Sequence, residues 1–259
     1  MDLSLAGKVA IVGGASQGIG FAIARLLAAE GARVAIVARR REALERAAET
    51  IGSETLAIAA DIRKADDCGR IVATAHAHFG RLDVLVNNDG APPLGSFSEF
   101  DDVAWGKAVE QNLMSVVRLT RHAIPHLRAA GGGSIVNITA LSVLQPMPRF
   151  GLSVATWAGV LGYAKTLSLE VAADNITVNT ICPGRIATGR LTTVNAQRAA
   201  ESGSEAAVFS EEMRRMVPLG RVGTTDEIAS VVVFLCSRRG GYVTGTTIPV
   251  DGGRLGSLF

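Results

Sequence analysis

At 259 residues and 48% apolar composition the chain carries enough non-polar surface for a large buried core and is too apolar for a disordered one. Its 26 basic and 24 acidic residues nearly cancel and are spread along the chain, which excludes a nucleic-acid surface built on a basic stripe. Cys68, Cys182 and Cys236 are odd in number and lack metal-ligand spacing, and no run approaches the ~20 apolar residues of a membrane span. The expectation is a cytoplasmic protein with reduced, buried thiols, no metal and no membrane partner.

Short β-rich runs alternate with Ala/Leu-rich helical stretches. The runs are residues 8–14, 32–38, 55–60, 82–88, 133–139, 176–183 and 246–253. Their apolarity is continuous rather than alternating, which predicts strands covered on both faces, hence a parallel sheet with crossover helices. No Pro/Gly/Ser-rich linker interrupts the pattern, so residues 1–259 are expected to form one doubly wound α/β domain. Residues 128–134 (RAAGGGS) read as a helix stop and turn. Residues 189–217 are less regular and precede a Thr224/Glu227 capping box. Ligands sit beyond the carboxyl ends of strands in open α/β sheets, so this segment is either a substrate-loop lid or a surface insertion.

The first run leads directly into Gly14-Ala15-Ser16-Gln17-Gly18-Ile19-Gly20 and then a helical pattern. Glycines at this spacing let backbone N–H groups and a helix N-terminus approach a pyrophosphate. The second run ends at Ala38 and Arg39, roughly 20 residues past the glycines, where an acidic residue would select NAD(H) and an arginine suits the 2′-phosphate of NADP(H). NADP(H) is therefore favoured over NAD(H), against the plainer reading of Arg39 to Arg41 as a solvated helix start.

With Asp61-Ile62, residues 87–90 (NNDG), Asn112, 133–139 (GSIVNIT), 182–188 (CPGRIAT) and 220–253, these motifs make the chain resemble the short-chain dehydrogenase/reductase (SDR) family over nearly its whole length. The resemblance implies a three-layer Rossmann fold with a seven-stranded parallel sheet, NAD(P)(H) binding, homotetrameric or dimeric assembly, and hydride transfer between an alcohol and a carbonyl. It places Gly14, Ser16, Gln17, Gly18, Ile19 and Gly20 around the pyrophosphate, Arg39 at the 2′-phosphate, and Asp61 with Ile62 at the adenine. Asn88 and Gly90 would line the adenosine ribose, and Pro183, Gly184, Ile186 and Thr188 the nicotinamide end.

The family's chemistry rests on a Ser, a Tyr-x-x-x-Lys pair and an Asn. By position, Ala140 stands for the Ser, Ser153 for the Tyr and Trp157 for the Lys, and only Asn112 is retained. Tyr163 and Lys165 lie ten and twelve residues past Ser153, roughly 15–18 Å along a helix, too far to substitute. Ser142 is a candidate replacement hydroxyl or a turn former; Ser153 is a substrate contact or a small helix-surface residue. Trp157 heads an apolar helical stripe of residues 157, 160, 161, 164, 167, 168 and 171. Gly13 and Asp89 replace a Thr and an Ala of the family pattern, and Asp89 is expected to occupy the space vacated at Gly13.

Three functions follow from these residues. One is an NADP(H)-dependent carbonyl/alcohol oxidoreductase slowed by its missing proton donors, acting on a small molecule of unspecified identity. Another is a non-catalytic nucleotide- or ligand-binding relative, or the inactive partner of an active paralogue. A third, a non-redox lyase or isomerase, would draw on Asp89, His122 or His126, although a surface role suits both histidines.

Overall fold

The computed structural model describes residues 2–52 and 54–257. Seven parallel strands form one sheet in the order β3-β2-β1-β4-β5-β6-β7. They are β1 (Val9–Gly13), β2 (Arg33–Ala38), β3 (Thr55–Ala59), β4 (Val84–Asn88), β5 (Gly133–Ile138), β6 (Ile176–Pro183) and β7 (Thr247–Val250). Each of the seven apolar runs holds one strand. The last is shorter than its run, because the chain turns away at Gly252 and Gly253, both at positive φ.

β1 and β6 are buried along their whole length, as continuous apolarity requires of strands covered on both faces. On one face, α1 (Gly18–Ala29), α2 (Arg41–Ile51) and α9 (Thr225–Cys236) enclose a core around Val12, Ile23, Leu27, Ile36 and Val232. On the other, α3 (Ala65–Phe79), α5 (Ser115–Ala129) and α6 (Gly151–Glu170) enclose Ile11, Ile71, Leu85, Leu127 and Ile135. The structure is thus a single-domain, three-layer Rossmann-like α/β fold.

α4 (Asp102–Val109) is capped by the Asp101 carboxylate, which accepts from Ala104 N at 2.8 Å. It continues through a π-helical turn, Glu110–Met114, into α5. Thr224 and Glu227 form the reciprocal capping box of α9. Residues 189–217 are more regular than their sequence suggests: α7 (Gly189–Ser202) and α8 (Ala206–Arg215) pack together there. All three cysteines are buried and free, and burial pushes the Cys68 and Cys236 thiols up to about 11 and about 12. No helix among the described residues is long and apolar enough to cross a membrane.

β1 pairs with β2 on one side and β4 on the other, so the chain's winding direction reverses between them. In a doubly wound sheet that switch point opens a crevice at the carboxyl ends of the strands.

Candidate active site

A cavity of about 940 Å³ lies along that crevice, near the upper end of the range for ligand sites. Its first wall is the turn from β1 into α1. Gly14 has φ +58, and a Cβ there would meet Asn88 O at 2.4 Å and Asn88 Nδ2 at 2.7 Å, so only glycine fits. Gln17, the N-cap of α1, is extended and makes no side-chain cap, and the first helical turn carries no acidic residue. The helix therefore presents uncapped N–H groups and the positive end of its dipole to the cavity, which fits a pyrophosphate. Ser16, Gln17, Gly18 and Ile19 line this wall, and Thr188 faces Gly18 from the opposite side.

Gly20 does not line the cavity. A Cβ at Gly20 would lie 2.6 Å from both Asn88 Nδ2 and Gly14 O, so its role is close packing of α1 against the turn rather than contact with a ligand. Asn88 ties β4 to β1, its Nδ2 donating to Gly13 O at 3.1 Å.

Arg39 is exposed at the end of the cavity nearest β2 and β3, beside Asp61 and Ile62, and all three line it. Asp61 is held by Arg63 through short bonds of 2.6 and 2.9 Å, and these hold its carboxyl below the usual range. Arg41 opens α2 and pairs with Glu45 on the helix surface. Asn88 and Gly90 line the middle, where Gln111 Nε2 donates to Gly90 O at 2.5 Å. Pro183, Gly184, Ile186 and Thr188 line the far end. Gly184 closes onto Asp251, whose Cα would be 2.6 Å from a Cβ there. Thr188 caps α7, accepting from Leu191 N at 3.3 Å.

Ala140, Ser142, Ser153 and Trp157 also border the cavity at this far end. Ser153 is not a helix-surface residue: it is 1% exposed, because the face of α6 that carries it turns toward the crevice rather than to solvent. Trp157 is 6% exposed and packs with Val116, Val160, Leu113 and Ala140, so it is both core and cavity wall. The Ser142 hydroxyl caps nothing: it is buried and unpartnered. Tyr163 and Lys165 lie away from the cavity; Lys165 donates to Gly245 O at 3.2 Å.

Asn112 does not reach the cavity either. It is fully buried in the π-helical turn, and its Nδ2 donates to Thr156 Oγ1 at 2.9 Å, stitching that turn to α6 one residue before Trp157. Its Oδ1 accepts from Gln111 Nε2 at 3.4 Å, and Gln111 itself lines the cavity. His122 and His126 are half-buried between α3 and α5 rather than on the surface, with the His126 ring tilted by 33° against that of His76 at 4.1 Å between ring centroids.

Asp89 does not fill the space at Gly13. A Cβ at Gly13 would meet backbone atoms of Asn88 and Val86, while the Asp89 carboxylate turns toward α5. There the Ser115 hydroxyl lies 2.8 Å from Asp89 Oδ2 and 2.5 Å from Gln111 O. That hydroxyl has one proton, and the carbonyl can only accept it. The Ser115 hydroxyl is thus the donor in both contacts, its proton shared between Asp89 Oδ2 and the Gln111 carbonyl. Burial pushes the Asp89 carboxyl up to about 7, opposed in part by the Ser115 hydroxyl, and Oδ1 is buried without a partner.

Sequence reasoning did not single out Arg185, Arg198 and Arg254, which line the far end together. The only local signal was an arginine directly after Pro183-Gly184; the other two come from α7 and the C-terminal segment.

A parallel sheet with this switch point, and a glycine turn opening on an uncapped helix N-terminus, define a dinucleotide-binding α/β protein. Residues 14–254 match the family model described as enoyl-(acyl carrier protein) reductase. The chain is 35% identical to dehydrogenase/reductase SDR family member 4 of Bos taurus, covering 97% of this chain and 88% of that one. It is 36% identical to nodulation protein G of Rhizobium sp. (strain N33), covering 96% and 97%. Among solved structures, L-sorbose reductase of Gluconobacter frateurii complexed with NADPH and L-sorbose superposes with a TM-score of 0.94 at 35% identity, covering 100% of both chains. An actinorhodin polyketide ketoreductase variant with NADPH gives a TM-score of 0.93 at 33% identity, covering 96% and 98%. The chain belongs to the SDR family of oxidoreductases.

Proposed function

We propose that this protein binds NADP(H) along the crevice and transfers hydride between a carbonyl and an alcohol slowly, because the family's Ser, Tyr and Lys positions hold Ala140, Ser153 and Trp157. The observation that carries this reading is the cavity itself. Its cofactor end has the uncapped α1 N-terminus and Arg39, while its reaction end is bordered at those three positions by a methyl, a hydroxyl and an indole. None of the three titrates near neutral pH or carries a charge. The NADPH named with the two solved reductases supports the choice of cofactor.

A bound nicotinamide would supply or take the hydride. Arg39 would hold the 2′-phosphate, the Gly14–Ile19 turn the pyrophosphate, and Pro183, Gly184, Ile186 and Thr188 the nicotinamide end. The unpartnered Ser142 hydroxyl is the group best suited to donate to a substrate carbonyl in place of the serine lost at Ala140. General acid catalysis is worth about 10²–10⁴ in rate, so a site that takes its proton from water is slower by that order. α7 and α8 would act as the lid over the substrate end. Homo-oligomerisation as a dimer or tetramer completes the proposal, supported by the exposed Leu169, Phe234 and Tyr242.

The test is a fluorescence titration with NADPH and NADH, followed by a carbonyl panel on the native protein and on the triple variant Ala140→Ser, Ser153→Tyr, Trp157→Lys. Tighter binding of NADPH than NADH, with turnover that is weak in the native protein and raised in the variant, is expected. Fast native turnover would reject the slow-site reading, and no binding of either nucleotide would reject the cofactor assignments. The alternative, a nucleotide-holding protein without turnover, draws on the burial of Trp157 in an apolar cluster; binding with no turnover by either form is its outcome.

A further inference from the structure

Arg185, Arg198 and Arg254 converge on the far end of the cavity from the end of β6, from α7 and from the segment after β7. Arg185 is 7% exposed, and its Nε is buried with no hydrogen-bond partner. Its sole side-chain bond runs from Nη1 to Asn195 Oδ1 at 3.2 Å, a neutral acceptor on α7. None of the ion pairs among the described residues involves Arg185, Arg198 or Arg254. Nearby Arg149, in contrast, is paired with both Glu99 and Glu201. Arg198 sits over the Phe209 ring, and Arg254 reaches Met147 Sδ at 3.8 Å. The carboxylate that acts on Arg254 is Asp251, whose oxygens already accept from Gly253 N and Leu255 N.

Burying a guanidinium is unfavourable unless an anion joins it. Here burial, then Arg254 and Arg198, lower Arg185 to about 10; the three cations repel one another, no carboxylate among the described residues is ion-paired with any of them, and the Asp251 carboxylate that offsets Arg254 is already engaged by two backbone N–H groups. Protein stability does not explain that arrangement; a negatively charged ligand does. Met147, Phe150, Leu191 and Val194 beside them give the ligand an apolar wall.

We propose that the substrate of this site is a small carbonyl compound bearing an oxyanion, a carboxylate or a phosphate monoester, held by Arg185, Arg198 and Arg254. This deepens the proposed function and rests on the far end of the crevice being the substrate end. Arginine suits either group through paired N–H donors, and the two are separated by the choice of probe.

The experiment is calorimetric titration of the NADP⁺-saturated protein with two matched pairs: levulinate against methyl levulinate, and dihydroxyacetone phosphate against dihydroxyacetone. NADPH affinity is measured first by fluorescence. At least one charged member is expected to bind about tenfold or more tighter than its neutral partner, and the pair that does so identifies carboxylate or phosphate. Arg198→Gln and Arg254→Gln, both at half-buried positions, each weaken the charged member about tenfold and leave the neutral one unchanged. Arg185→Met abolishes the preference without lowering thermal stability, since it removes an unpaired buried charge; a merely structural arginine would lower it. Equal affinities within both pairs, undetectable binding of all four compounds, or insensitivity to the three substitutions overturns the proposal. So does loss of the charge preference on saturation with NADP⁺, which would assign the arginines to the cofactor. Charged-ligand binding that persists where NADPH fails to bind would reject the nucleotide reading and leave the anion site standing.

Discussion

Replacing Asp89 by Asn tests whether the carboxyl beside the cavity is neutral. Raising an acid from 3.8 to about 7 disfavours its ionised form by about 4 kcal/mol in the folded chain, at about 1.4 kcal/mol per tenfold. Between those two values the native state holds a proton that the unfolded chain has released, so stability falls as pH rises through this window and the loss is complete above about 7. Below pH 4 both states are protonated, and Asp89→Asn differs from the native protein only in local packing. At pH 8 the amide keeps a polar partner in Ser115 and carries no charge, so the variant gains. Relaxation around a real carboxylate trims the full figure, and the expected advantage is about 2–4 kcal/mol, or about 5–15 °C in Tm for a chain of this size. Thermal and urea unfolding of both proteins from pH 4 to pH 8 measure it. A difference between the two proteins that does not change with pH, or a variant less stable at pH 8, refutes the protonated-carboxyl argument. Infrared spectroscopy gives an independent readout, a protonated-carboxyl band in the native protein that is missing in the variant at neutral pH.

Gly14→Ala forces a side chain onto Asn88 at 2.4 Å with φ at +58, combining about 1–2 kcal/mol of left-handed strain with about 1–3 kcal/mol of overpacking. Differential scanning calorimetry should therefore register a Tm drop of several degrees, accompanied by weaker NADPH binding. Arg39→Asp places a carboxylate where the 2′-phosphate is expected and should reverse the nucleotide preference, raising the Kd for NADPH at least tenfold while NADH binding holds or improves, as read by fluorescence titration. Asn112→Ala leaves Thr156 without its buried donor and should lower stability by about 1–3 kcal/mol in urea unfolding, with the Kd for NADPH unchanged because the amide does not reach the cavity.

Much of this architecture is written in local patterns. Continuous apolar runs such as that of β6 specify two-sided burial, and therefore parallel strands with crossover helices, although the edge strands β3 and β7 are only partly buried. The glycine turn is equally legible, since φ +58 at Gly14 and the absence of a side-chain cap on α1 are properties of a few adjacent residues.

Properties that depend on residues distant in sequence were decided only by packing. Gly20 resembles the other glycines of its motif until Asn88 closes on it, and only packing shows that the Asn112 Nδ2 donates to Thr156 across to α6. Ser153 is buried because of where α6 lies against the crevice, which no helical periodicity specifies. Burial raises the Asp89 carboxyl against the opposing Ser115 hydroxyl, and Arg185 meets two further cations only when α7 and the C-terminal segment bring Arg198 and Arg254 beside it. Covalent neighbours set backbone conformation and hydrophobic pattern, so these can be read along the chain. Charge state and ligand preference depend on the dielectric and on which groups meet across space, and those the tertiary structure alone decides.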